Sequence, residues 1–352
     1  MAIPHIDGVL DARAVRATGA AIARMQESSG ALPWFPGGKT DPWDHVESAM
    51  ALSATGFRGE AEAAYEWSRR TQRADGSWPM ELRDGVVVDP GVDSNFCAYI
   101  AVGVWHHFLI VDDAAFLRRM WPTVRSALDR TLVFARDDGA FRWAADFRTG
   151  AMFENVLITG NASIHSALRC GVEIASILDE PAERWLRAAD RLADLFDRWR
   201  RDRSVLDPAS THSMDWYYPV LGGVVRGDAG RDLIDSRWSD FVVDGLGARC
   251  VDDHPWVTGA ETCELALAVE AIGDTDRAAA LVESIQHLRD DDGSYWTGLV
   301  FSDGKRWPVE QSCWTSAAVV LAADAISGAT PAGGIFRDIA LGAVVSASRR
   351  LD

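Results

Sequence analysis

A chain of 352 residues, 48% of them hydrophobic, has the means to bury a large core. Its formal net charge of -17 and pI near 4.9 set a repulsive field against phosphate backbones and anionic bilayers, so no nucleic-acid or membrane partner is expected. Cys97, Cys170, Cys263 and Cys313 fall in apolar helical runs and Cys250 lies alone in a loop, which fits reduced thiols. The first ten residues lack a basic segment followed by an apolar one, and a cytoplasmic protein is expected.

In chain order, amphipathic stretches alternate with stretches that are apolar almost all round. The spacing predicts amphipathic helices over 11–27, 58–73, 114–136, 181–201, 227–238 and 275–289. In the fourth, Trp185, Ala189, Leu192, Phe196 and Trp199 recur at three- and four-residue steps, with Arg and Asp on the other face. Between them lie apolar helices over 43–55, 93–109, 161–178, 214–224, 259–272 and 310–327, which need cover on every side. The run from Phe96 to Val111 belongs here and reads as a core helix, short of a membrane span. A last helix over about 334–349 would close the ring. The apolar helices start at intervals of roughly 46 to 68 residues, a loose internal period. The expected fold is all-α: one (α/α)6 barrel domain spanning 1–352, with outer amphipathic and inner apolar helices.

Joints punctuate this pattern. Gln72 to Trp78 reads Gln-Arg-Ala-Asp-Gly-Ser-Trp, and relatives occur at Gln26–Gly30 before Trp34, at Asp137–Gly139 before Trp143, and at Asp290–Tyr295 before Trp296. Strand-like segments follow, around Asp84-Gly85 and Asp303-Gly304. Connections this long in a compact domain are commonly functional, and these would wall a cleft at one end of the barrel.

Acids mark the inner-helix starts: Asp44 and Glu47, then Asp93, Asp215, Glu261 and Glu310, with Glu154 ahead of the third. Capping is the plain alternative, because acids at N-termini satisfy free N–H groups, and Asp44/Glu47 and Thr258/Glu261 have capping-box spacing. As a set the acids point to function, since aromatics accompany them: Trp43, Phe96, Trp216, Tyr217, Tyr218, Trp256, Trp307 and Trp314. Of 15 Trp, about half fall in the mouth connections. Aromatic plates beside carboxyl, amide and imidazole groups suit a neutral polyhydroxylated ligand, an oligosaccharide or polysaccharide. Glycoside hydrolysis needs two carboxyls, one protonated and one ionised, and a crowded acidic mouth pushes two pKa values apart.

The string at 72–78 resembles the repeat of squalene-hopene cyclases and prenyltransferase-like α/α barrels, but no Asp-x-Asp-Asp or Asp-Asp-x-x-Asp motif accompanies it. Met152-Phe153-Glu154-Asn155 and Val309-Glu310-Gln311 resemble the acid and base segments of glucoamylase-type inverting α-glycosidases, which would make Glu154 and Glu310 the pair. Over most of its length, with Asp41-Pro42-Trp43-Asp44-His45-Val46-Glu47 and Thr258-Gly259-Ala260-Glu261-Thr262, the chain is similar to mycobacterial α-endomannosidases. That resemblance implies internal cleavage of α-(1→4)-linked, partly 3-O-methylated mannose chains, in the cytoplasm.

The expected activity is therefore an inverting endo-acting α-glycoside hydrolase with no cofactor and no metal. Glu261 is the expected acid and Asp44 the base, with Trp43, His45, Glu47, Asp93, Asn95, Glu154, Asp215, Trp216, Tyr217, Trp256 and Glu310 as substrate-binding residues. A terpenoid cyclase or prenyltransferase-like protein and a non-catalytic glycan-binding barrel are the alternatives. The sequence does not fix an oligomeric state.

Overall fold

The computed structural model describes residues 2–206 and 210–338. Helices α1 (Ala12–Met25), α3 (Arg58–Thr71), α6 (Ala114–Leu132), α8 (Glu183–Arg201), α10 (Gly227–Ser236) and α13 (Thr275–Ser284) form the outer layer. The inner layer is α2 (Pro42–Ala54), α4 and α5 (Ser94–Ala98 and Ile100–Val111), α7 (Ile158–Leu178), α9 (Ser213–Leu221), α12 (Gly259–Ala271) and α14 (Cys313–Ser327). A short α11 (Trp238–Phe241) follows α10. Each inner helix packs on the next, from α2 through α5, α7, α9 and α12 to α14, and α14 packs back on α2. The expected closing helix over 334–349 lies mostly outside the described residues, and the part within, 334–338, is not helical.

The two layers follow from patterning. Helix α8 buries Trp185, Ala189, Leu192, Leu195, Phe196 and Trp199 and leaves its Arg and Asp in water, as a one-sided helix must. Helix α14 buries every residue from Thr315 to Ala325, because ring neighbours and the outer layer enclose it. The second inner helix is broken: Tyr99 separates α4 from α5. By length and apolar composition Ser94–Val111 is enough to cross a bilayer, a correction to the shorter expectation, and 78% of it is buried inside the fold.

The recurring joint fastens one outer helix to the next. Gln72 Nε2 donates to the carbonyls of Gly76 and of Thr123 in α6, both at 3.0 Å. Gln26 repeats this one hairpin earlier, donating to Gly30 and to Glu60 of α3 at 3.0 and 2.9 Å. Gly76 has φ +88, and a Cβ there would stand 2.2 Å from the Ser126 carbonyl oxygen, so only glycine lets the loop reach α6. The last joint completes the outer ring, since a Cβ on Gly293 would lie 2.7 Å from the Ala17 backbone of α1.

Strands confined to the connections wall the mouth. β1 (Glu81–Arg83) and β2 (Val86–Asp89) form the expected hairpin, with Asp84 and Gly85 both at positive φ, as a two-residue turn of this hand requires. β3 (Val92–Asp93) pairs with β4 (Ala144–Ala145). An antiparallel sheet of β5 (Val242–Val243), β6 (Gly247–Arg249), β7 (Trp256–Thr258), β8 (Gly298–Val300) and β9 (Lys305–Arg306) leads into α12 and α14 and includes the expected Asp303-Gly304 turn.

Candidate active site

The cap of α2 is Asp41, whose Oδ1 accepts the Asp44 N–H at 2.9 Å. The capping-box reading of Asp44 and Glu47 therefore fails, and both carboxyls are left for other work. Thr258 likewise makes no side-chain cap on α12, which leaves the Glu261 box unformed. Lys39 Nζ lies 2.8 Å from Asp41 Oδ2, 3.7 Å from Asp44 Oδ2, and 4.9 Å above the Trp34 ring.

This arrangement splits two neighbouring acids. Burial works to raise both, but the Lys39 ammonium and a hydrogen bond from Asp44 hold the Asp41 carboxyl below its usual range. For Asp44, burial and then the Asp41 charge dominate, and its affinity for a proton rises well above that of an ordinary carboxyl. The pairing with Lys39 thus favours the ionised form of Asp41, and burial beside that charge favours the protonated form of Asp44.

One turn deeper, Glu47 and Glu264 anchor an aromatic floor. Glu47 Oε1 accepts the Trp43 indole N–H at 2.9 Å and the Tyr99 hydroxyl at 2.7 Å. Glu264 accepts the Tyr217 and Tyr218 hydroxyls at 2.5 and 3.0 Å. Burial raises both carboxyls, and for Glu264 the Glu47 charge is the next cause after burial. Trp43 meets Tyr99 at 5.3 Å and, across the barrel, Tyr218 of α9 at 5.5 Å between ring centroids. Glu47 of α2 and Glu264 of α12 therefore face each other electrostatically, each on a helix that flanks α14, and Asp44 and Glu261 stand one turn earlier on the same two helices. Glu261 is buried in the first turn of α12, with the Cys250 thiol hydrogen-bonded against it.

The other expected residues divide. Asp93 caps α4 through the Asn95 and Phe96 N–H groups, and its second oxygen accepts the Trp143 indole N–H at 2.5 Å. Burial outweighs these bonds and lifts its pKa to about 6. Asn95 is buried with neither side-chain polar atom partnered, so it has capacity for a ligand. Asp215 accepts both the backbone N–H and the hydroxyl of Thr159. It also lines, with Trp216, a cavity of about 510 Å³ at α9, the ring neighbour of the Glu261-bearing α12 and not of the Asp44-bearing α2. Tyr217 is fully buried in the floor. Trp256 stands edge-on to Trp307 at 4.5 Å in the β7–β9 wall. Glu310 accepts the Trp34 indole N–H at 2.6 Å ahead of α14.

Two expectations are corrected by geometry. His45 is a satisfied core residue: Nδ1 accepts the Leu32 N–H at 3.0 Å and Nε2 donates to the Ala64 carbonyl at 3.0 Å, leaving nothing for a ligand. Burial first, against that hydrogen bond, lowers it to about 4. Glu154 stands outside the acid cluster, its side chain 73% exposed and paired to Arg142 at 3.0 Å. Lys39, Asp41, Glu264 and Tyr99 were missed. Glu264 repeats on α12 the three-residue step from Asp44 to Glu47, and Lys39 precedes the Asp41-Pro42 helix start, so both left a trace in the sequence. Among the described residues no three His, Cys, Asp or Glu side chains are grouped to hold a metal.

A closed double ring of helices with buried, proton-split carboxyls at one mouth defines an (α/α)6 barrel of the kind seen in glycosidases. A glycosidase variant solved in complex with glucose matches with a TM-score of 0.69 at 18% identity, covering 90% of this chain and 96% of that one. A D-mannose isomerase matches with a TM-score of 0.64 at 11% identity, covering 88% of this chain and 96% of that one. These likenesses are of fold. No protein-family model matches the chain. The MMP endo-(1,4)-3-O-methyl-alpha-D-mannosidase of Mycolicibacterium hassiacum is 52% identical over 350 residues, covering 97% of this chain and 93% of that protein. With that identity over nearly the whole length, the chain belongs to the family of MMP endo-(1,4)-3-O-methyl-α-D-mannosidases.

Proposed function

We propose that the protein is an inverting endo-α-mannosidase that cleaves α-(1→4)-linked 3-O-methylmannose polysaccharide, with Asp44 as general acid and Glu261 as general base. The single observation that carries the roles is the position of buried Asp44 beside an Asp41 carboxylate that Lys39 pairs at 2.8 Å, a setting that raises the proton affinity of Asp44. This reverses the order expected from sequence. Asp44 donates its proton to the leaving glycosidic oxygen as the anomeric carbon–oxygen bond breaks. Glu261 takes a proton from water as that water attacks the opposite face.

Inversion is supported by placement. The two acids lie on helices separated by α14, whose axes stand farther apart than the roughly 8–10 Å of a packed pair, and this supports the wider carboxyl separation, about 6.5–9.5 Å, over the retaining one. The polysaccharide is inferred from the relative's name, and the aromatic floor and mouth suit a sugar whose methyl ethers lower its polarity. The string that suggested a terpenoid cyclase serves instead as the buckle between outer helices, which removes the motive for that reading.

The test is incubation with 3-O-methylmannose polysaccharide, followed by mass spectrometry and proton NMR. Shorter oligosaccharides whose first-formed reducing end is the β anomer are expected. An unchanged chain-length profile rejects the substrate, and an α anomer formed first rejects inversion.

A further inference from the structure

Exposed hydrophobic side chains usually scatter singly over a surface. Here nine of the eleven large ones recorded among the described residues stand in three mouth connections. Four of the nine, Trp143, Phe147, Phe153 and Leu157, lie between α6 and α7. Trp143 is 37% and Phe153 45% exposed, with ring centroids 6.0 Å apart and planes 34° apart, so together they offer one broad apolar face.

This face is held rather than merely exposed. The Trp143 indole N–H is fixed to the buried Asp93 carboxyl, and its backbone N–H donates to the Asn155 carbonyl at 2.7 Å. Its carbonyl accepts the Ser94 N–H at 2.9 Å. Phe147 is covered by the Arg73 guanidinium at 3.7 Å. The part of this aromatic surface left in water adds nothing to the stability of the fold. Beside it, Asn95 is buried with both ends of its amide unpartnered, two residues from Asp93. The shelf therefore adjoins α4, which packs on the Asp44-bearing α2.

We propose that Trp143 and Phe153 form a distal glycan shelf that stacks on sugar residues of a neutral, partly O-methylated hexose chain away from the bond being cut. Asn95 supplies hydrogen bonds at its inner edge. The inference rests on the glycosidase reading above and deepens it. The occupant is a glycan because the shelf continues into the mouth, and because a planar aromatic pair beside an unpartnered amide matches a ligand with apolar faces and hydroxyl edges. Holding the chain at a distance from the acids would direct cleavage to internal bonds.

Trp143→Ala and Phe153→Ala test this by kcat and KM on 3-O-methylmannose polysaccharide and on the shortest oligosaccharide that is still cut. Each variant should raise KM for the polysaccharide about tenfold, the loss of one stacked ring, with kcat within twofold and little change on the short substrate. Product sizes should shift, and Trp143→Phe, which keeps a ring and loses the bond to Asp93, should fall between. Unchanged KM and product sizes in both alanine variants would overturn the shelf. So would a kcat loss equal on both substrates, or a dimer by light scattering that Trp143→Ala dissociates. If the wild type binds the polysaccharide by calorimetry without cutting it, the hydrolase reading fails alone, and the shelf then stands on whether the two variants weaken that binding.

Discussion

Replacing Lys39 by methionine removes the cation that holds Asp41 ionised and that also pulls on Asp44. Lys39 is 40% exposed on its side chain and Asp41 only 3%, so the pair lies between the surface and buried limits. Removing one partner of a fully buried pair costs about 3–5 kcal/mol and of a surface pair ~0–1, which puts this loss at about 1–3 kcal/mol in urea unfolding near neutral pH. The folded Asp41 pKa is depressed, so its stabilisation is present above the unfolded value, near 3.9, and disappears as pH falls through the folded value. The gap between variant and wild type should therefore close in acid.

Catalysis supplies the sharper readout. At 3.7 Å, with an effective dielectric near 20, the Lys39–Asp44 attraction is of order 4 kcal/mol, and exposure of the ammonium screens it to about 1–2. Lys39 favours ionised Asp44, so its loss raises the proton affinity of Asp44 as long as Asp41 stays ionised. The basic limb of the kcat/KM profile should move up by about one pH unit. A limb that stays in place or moves down would refute Asp44 as the acid held in check by Lys39.

Tyr217→Phe removes the 2.5 Å hydrogen bond to Glu264 and leaves a buried carboxyl oxygen short of a donor; a loss of about 1–3 kcal/mol in urea unfolding is expected. Gly76→Ala forces a Cβ against the Ser126 carbonyl at positive φ and should cost at least ~1 kcal/mol by the same measurement, with activity per folded molecule unchanged. His106, fully buried, is lowered to about 3, by desolvation first and His107 second. It stabilises the fold above the unfolded pKa near 6.5, and that contribution is lost as pH falls. His106→Leu should therefore gain on the wild type by up to about 3 kcal/mol between pH 7 and pH 4 in denaturant titrations at each pH.

The sequence was informative where one residue decides one geometry. Alternation of one-sided and all-apolar helices marks the two layers, and Asp84-Gly85 sets its hairpin because both positions need positive φ. Asp44 and Glu261 could be placed at helix starts for the same reason. What was hidden depends on neighbours distant in the chain. Asp41 and Asp44 both sit within capping reach of α2, and only the folded N-terminus assigns the cap to Asp41. His45 looked free because its partners, Leu32 and Ala64, come from other elements. Glu264 drew no reading from sequence because its partners, Tyr217 and Tyr218, come from α9. Glu154 carried a glucoamylase-like segment yet turned to Arg142 in solvent, because its loop holds it on the rim.

The most direct measurement is turnover of 3-O-methylmannose polysaccharide by Asp44→Asn, Glu261→Gln, Glu154→Gln and Glu310→Gln, each shown to be folded. Loss of about 10²-fold or more in the first two, with Glu154→Gln near wild type, is the predicted result. Near-normal turnover in Asp44→Asn and Glu261→Gln, with activity abolished in Glu154→Gln and Glu310→Gln, would contradict it.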